Sequence, residues 1–288
     1  MTFAHILFPV DFSERAVAAA PHVDAMASRF DSEVTLMHVL EPGSSALEDA
    51  ELAPHDKSHI VSSQQHIRAR LASFAKEHLP GIDPGLCAQE GDPAEVITRF
   101  AHGHTASLIM MPSHGYGPFR SLLLGSVTAK VLHDAECPVW TGAHLKIRPE
   151  DNHLPCRTIV CALDLGPRSV SLMQWAAQLA QVFGAGLRFV HAVPRIEAWG
   201  ERQFDGSYEE ELRSTAREKL ACLQTEAGTA APACVAVGNA SGVVEEEANR
   251  HGADLVVIGR GRIVEKMGRL RTHSHGIIRQ APCPVLSI

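Results

Sequence analysis

The chain has 288 residues and a formal net charge of −7 at pH 7, with 45% hydrophobic and 20% charged residues. That is the mix of a soluble globular protein with room for two ordinary domains. No run of eighteen or more apolar residues occurs, so no transmembrane helix is expected, and the acidic balance leaves no footprint for nucleic acid or an anionic membrane. The opening Met1-Thr2-Phe3-Ala4-His5 lacks a basic n-region and an apolar h-region, so the expected address is cytoplasmic. The seven cysteines form no CxxC pair, which argues against a disulfide framework and against a thiolate zinc site. Cys137 and Cys283, each before a proline, read as small buried hydrophobes. The pairs His102/His104 and His273/His275 lack the carboxylate or cysteine company of a metal site.

In chain order, an apolar run ends at Val10-Asp11, and an amphipathic stretch from Ser13 to Phe30 follows. Ser13 is placed as N-cap, with Val17, Pro21/Val23 and Met26 toward a core. Val34–Val39 is the next run, and residues 57–79 then space Ile60, Ile67, Leu71, Phe74 and Leu79 as a helix does. After Gly91-Asp92 come Ser107–Met111, a glycine-rich loop, a helix over Val127–His133 and the run opened by Cys137-Pro138-Val139. The same landmarks recur in the same order: Thr158–Asp164, Leu187–Ala192, Gly238-Asn239, Asp254–Ile258 and Ala281–Val285. The helix between the second and third of these is read over Tyr208–Leu223, with Leu212, Ala216 and Leu220 inward. The chain is thus an internal duplication: domains at 1–145 and 157–288, joined by a linker over 146–156 with Pro149 and Pro155. Apolar β-branched runs alternating with helices predict, in each half, an α/β fold with a doubly wound, five-stranded parallel sheet.

Ligands of such sheets sit beyond the carboxyl ends of the strands, where strand order reverses. In the first half that singles out Asp11, Val39, Gly91-Asp92 and the loop from Pro112 to Ser126. Gly125-Ser126 opens a helix, whose free N–H groups and dipole attract a phosphate; Ser126 adds a hydroxyl and Arg120 a charge. From the glycines alone, a phosphate cradle and a plain set of turns weigh equally. Asp11 alone reads sooner as a cap for the following helix than as a ligand to ribose or adenine.

The segments Val10-Asp11-Phe12-Ser13-Glu14, Met37-His38-Val39, Gly91-Asp92-Pro93 and Leu122-Leu123-Leu124-Gly125-Ser126-Val127, followed by Cys137-Pro138-Val139, resemble the universal stress protein family in its tandem form. The resemblance covers both halves nearly end to end. It implies a nucleotide-binding fold of the HUP type with strand order 3-2-1-4-5, and pseudo-dimer docking of the halves through Pro138-Val139-Trp140 and Pro284-Val285-Leu286. Many members bind ATP through Gly, two residues, Gly, nine residues, then Gly-Ser or Gly-Thr. Carried over, Gly115, Gly125 and Ser126 fit, with Val127 beside them, while Pro112 replaces the first glycine. Asp11 and Val39 match the positions that hold the adenosine. The resemblance therefore implies ATP in the first half, with any metal unspecified. If the site uses the N–H that Pro112 lacks, affinity falls roughly tenfold to a hundredfold.

The second half departs further. Gly261 follows Gly259 after one residue instead of two, and Arg271 replaces Gly125, so no ATP is expected there. Its loop carries Arg260, Arg262, Lys266, Arg269 and Arg271 against Glu265 alone, a solvated face first and an anion site second. The leading functional expectation is a stress-response regulatory protein that binds adenine nucleotide without being an enzyme. Alternatives are a tandem scaffold that binds no ATP or senses another anion, and a slow ATP hydrolase using His114. No P-loop lysine motif or nucleophile elbow supports the last. A homodimer of tandem chains and a protein partner of unspecified kind complete the expectations.

Overall fold

The computed structural model describes residues 2–41, 57–113, 124–142, 156–195, 206–260 and 271–288. The chain divides into two compact units, Thr2–Leu154 and Pro155–Ile288. The first unit runs β1 (His5–Pro9), α1 (Glu14–Phe30), β2 (Glu33–Leu40), α2 (Lys57–His78), β3 (Gly85–Glu90), α3 (Pro93–Gly103), β4 (Leu108–Pro112), α4 (Ser126–Asp134) and β5 (Val139–Gly142). Its strands are all parallel, in the order β3-β2-β1-β4-β5. Register follows the apolar pattern, Ile6 against Val34 and Phe8 against Leu36 on one side of β1, and Ile6 against Leu108 on the other.

The strands are apolar without alternation because helices cover both faces. Ile6, Leu7 and Phe8 and the whole of β4 are buried. α1 lays a face of small residues, Ala16, Ala19, Ala20 and Val23, on the sheet, with Met26 also buried; Val17 and Pro21, expected inward, are only half-buried. Pro21 sits inside this helix, which continues through it and ends at Asp31 in a left-handed cap. α2 turns Ile67, Leu71 and Phe74 inward, and Leu79 just beyond its end is buried as well, as their spacing predicts.

The second unit repeats the plan with β6 (Thr158–Ala162), α5 (Ser169–Phe183), β7 (Gly186–Val193), α6 (Gly206–Ala227), β8 (Ala233–Val237), α7 (Ala240–Arg250), β9 (Leu255–Ile258), α8 (Arg271–Gln280) and β10 (Val285–Ser287). Its order is β8-β7-β6-β9-β10, again 3-2-1-4-5 in the unit's own count and again parallel. The copies have diverged inside. Glu247 of α7 is 2% exposed and takes Arg188 at 3.3 Å, Arg250 at 3.2 Å and His251 at 3.2 Å, a buried carboxylate kept by its two arginines and a histidine. Of the two cysteines expected to be buried, Cys283 is, whereas Cys137 is only half-buried.

Candidate functional site

In the first unit the crevice opens between the carboxyl ends of β1 and β4, because crossovers leave these neighbouring strands in opposite directions. β1 ends in a tight turn. Asp11 Oδ1 accepts the backbone N–H of Ser13 at 3.0 Å and its hydroxyl at 2.6 Å. The cap of α1 is Ser13 itself, whose Oγ accepts the N–H of Ala16 at 3.3 Å, so Asp11 orients the cap instead of being it. Asp11 Oδ2 makes no hydrogen bond among the described residues. Phe12, between them, holds φ at +59°, a left-handed conformation uncommon for an aromatic residue. On the adjacent strand His38 Nδ1 donates to the carbonyl of Val10 at 2.7 Å, and Val39 lies half-buried opposite Gln89.

The other wall is the end of β4 and the start of α4. The N–H groups of Ile109 and Ser113 donate to Pro138 at 3.0 Å and Gly142 at 3.3 Å, both on the β5 side. Strand residues alternate the direction of their peptide groups, so Pro112, between Met111 and Ser113, turns its ring nitrogen toward β1 and the crevice. The missing N–H is thus missing from the crevice wall. The Pro112 carbonyl accepts the hydroxyl of Thr128 at 3.1 Å, and the Ser113 carbonyl accepts the N–H of Gly125 at 2.9 Å. Ser113 and Thr128 are 1% and 3% exposed. These two bonds fasten the start of α4 to the end of β4.

α4 has Gly125 as its N-cap and no side-chain cap, unlike α1 with Ser13 and α3 with Asp92. The N–H groups of Ser126, Val127 and Thr128 have no intrahelical acceptor. An uncapped helix start beside a strand end suits an anion. The sequence-selected Asp11, Val39, Pro112, Gly125, Ser126 and Val127 therefore fall at the carboxyl ends of β1, β2 and β4 and at the start of α4. Gly115, Arg120 and His114 lie outside the described residues. Ser113 and Thr128 were not foreseen; the only signal was a hydroxyl residue at each end of the glycine-rich loop.

The second unit keeps the turn but places two further side chains at the equivalent strand ends. Leu165 repeats the left-handed conformation at +54°, and Asp164 Oδ1 accepts from the N–H of Gly166 at 2.8 Å and the hydroxyl of Ser169 at 3.2 Å. His191 Nδ1 donates to the carbonyl of Leu163 at 2.8 Å, as His38 does to Val10. Here, however, Arg168 reaches from the start of α5 across to the end of β9 and donates to the carbonyl of Arg260 at 2.5 Å. Leu172 packs over Gly259, where an added Cβ would stand 3.2 Å from Leu172 Cδ2. The residues 261–270, including Arg262, Lys266 and Arg269, lie outside the described residues, and α8 begins at Arg271.

An open depression of 780 Å³ lies at the opposite end of the first unit, between the starts of β2 and β3. Its lining includes Asp31, Glu33 and Asp83 and no Lys or Arg, so it repels an anion. Among the described residues no group of three metal-ligating side chains occurs, and His102 instead meets Glu136 at 2.9 Å. No helix among the described residues is long and apolar enough to cross a membrane.

Known proteins bear on the whole chain. A model of the universal stress protein family matches residues 2–141 and 155–288. A universal stress protein of Methanocaldococcus jannaschii is 30% identical over 151 residues, 48% of this chain and 93% of that one. One from Thermus aquaticus is 32% identical over 137 residues, 48% of this chain and 96% of that one. The crystal structure of a universal stress protein from Archaeoglobus fulgidus superposes on 99% of this chain and 96% of its own with a TM-score of 0.68 at 18% identity, a likeness of fold. With the family's domain matched twice along its length, the chain belongs to the universal stress protein family.

Proposed function

We propose that the protein is a regulatory adenine-nucleotide binder whose first unit takes one ATP in the crevice between β1 and β4. The observation that carries this reading is the uncapped start of α4, fastened to the end of β4 by Thr128 and Gly125. There the free N–H groups of Ser126, Val127 and Thr128 would receive the phosphates. Asp11 would accept from the ribose hydroxyls with Oδ2, since Oδ1 is taken by Ser13. Val39 would face the adenosine. Gly115 and Arg120 would complete the phosphate cradle, with Arg120 supplying charge. The second unit would bind no ATP, because Arg168 and Leu172 stand at the equivalent strand ends. In this reading binding itself is the function, and occupancy is read out by a partner through the 112–124 loop.

Calorimetric titration with ATP tests it. The expected result is one ATP per chain, abolished by Asp11→Ala and by Gly125→Arg. Pro112→Gly restores an N–H to the crevice wall and should tighten binding roughly tenfold to a hundredfold. No heat from either the natural chain or Pro112→Gly would overturn the reading and leave a tandem scaffold.

A further inference from the structure

We propose that Arg70 of α2 is the residue on which the nucleotide's base stacks, an inference that rests on the nucleotide reading of the first unit. Its guanidinium carbon lies 4.2 Å from the centroid of the Phe12 ring. Phe12 directly follows Asp11, and its ring is also held by His38 at 4.8 Å and Phe74 at 6.2 Å between centroids. The aromatic ring is thus fixed from two sides, and the guanidinium lies on it. Arg70 is exposed and has no ion-pair partner among the described residues. A planar, weakly hydrated cation with one face on a ring keeps its other face for a second π system. A purine presents such a face, and bases stack readily on guanidinium planes.

The stack is not needed to make the turn. Leu165 adopts the same left-handed conformation in the second unit, where an aliphatic side chain takes the place of Phe12. The backbone is therefore common to both units, while the aromatic–cation pair belongs to the first. The group selected by such a platform is a purine nucleotide in preference to a pyrimidine one, because the larger ring system covers more of the guanidinium.

The test is titration of the full chain and of Arg70→Lys and Arg70→Met with ATP and CTP, with circular dichroism and thermal melts to show that the variants fold. Arg70→Lys keeps the charge and loses the plane; Arg70→Met keeps the cover over Phe12 and loses both. The natural chain should prefer ATP to CTP, and both substitutions should weaken ATP about tenfold and shrink that preference. Full ATP affinity in Arg70→Lys with loss in Arg70→Met would overturn stacking in favour of a charge contact. ATP binding unchanged in both would overturn the inference and leave the nucleotide reading standing. Absence of ATP binding by both the natural chain and Pro112→Gly would overturn both.

Discussion

His38 shows how one side chain joins two strand ends. A carbonyl can only accept, so the contact with Val10 fixes the hydrogen on Nδ1 and leaves Nε2 as the titrating nitrogen. Burial first, and the positive charge of Arg70 further, hold its pKa below the ordinary histidine value, against the opposing pull of the Val10 bond and Asp11. The folded state therefore favours neutral His38, and the unfolded chain binds the extra proton. Stability from this group is complete above about pH 6.5, the unfolded value, and is lost as pH falls toward the lower folded value. Urea unfolding between pH 7.5 and 5 should show a midpoint that drops on acidification, and His38→Gln should flatten that slope. An equal slope in the variant would remove His38 as its source. In the sequence His38 is legible as part of Met37-His38-Val39, but its partner lies 28 residues away, a distance that pattern reading does not bridge.

At the scale of the element, the Ser13 cap was legible in the sequence, whereas Asp92, read as a residue at a ligand-binding strand end, and Asn239, read as a repeat landmark, turn out to be caps as well. Ser13, Asp92 and Asn239 cap α1, α3 and α7, each accepting a backbone N–H in the helix it opens. Gly91 shows why glycine precedes such a cap. Its φ is +143°, and a Cβ there would sit 2.9 Å from Val96 Cγ2. Gly91→Ala should cost about 1–3 kcal/mol of unfolding free energy, from strain and the clash together. Gly103, at the end of α3 with nothing within 4 Å of its added Cβ, is the control. Gly103→Ala should be neutral or gain up to about 1 kcal/mol. Equal behaviour of the two variants in urea would sink this account of Gly91. Helical spacing likewise located α2, because the buried Ile67, Leu71 and Phe74 recur at one face per turn. The inward face of α1 was less well read, since alanines carry little periodic signal and Ala16, Ala19 and Ala20 are buried where Val17 is only half-buried.

Across the whole molecule, the seven cysteines measure what folding adds to composition. All are free thiols; Cys222 is exposed, Cys161 and Cys283 are buried, and the other four are intermediate. Burial, reinforced by the nearby Asp254 carboxylate, pushes Cys156 and Cys283 up to about 12. A thiol reagent at pH 8 should therefore modify Cys222 first and reach Cys161 and Cys283 only on unfolding. Early stoichiometric labelling of Cys283 in the native protein would contradict this. The sequence by itself determined the duplication, the α/β class, the strand end where Asp11 stands and the helix start at Gly125, because those rest on local periodicity and on landmarks repeated in order. It determined nothing about which groups meet across the crevice. Thr128 with Pro112, Arg168 with Arg260 and His38 with Val10 are 16, 92 and 28 residues apart. Whether an arginine crosses between strand ends, as Arg168 does between β6 and β9, depends on side chains that the parallel sheet brings together from distant parts of the chain. Such pairs obey no local period, so only the tertiary structure decides them.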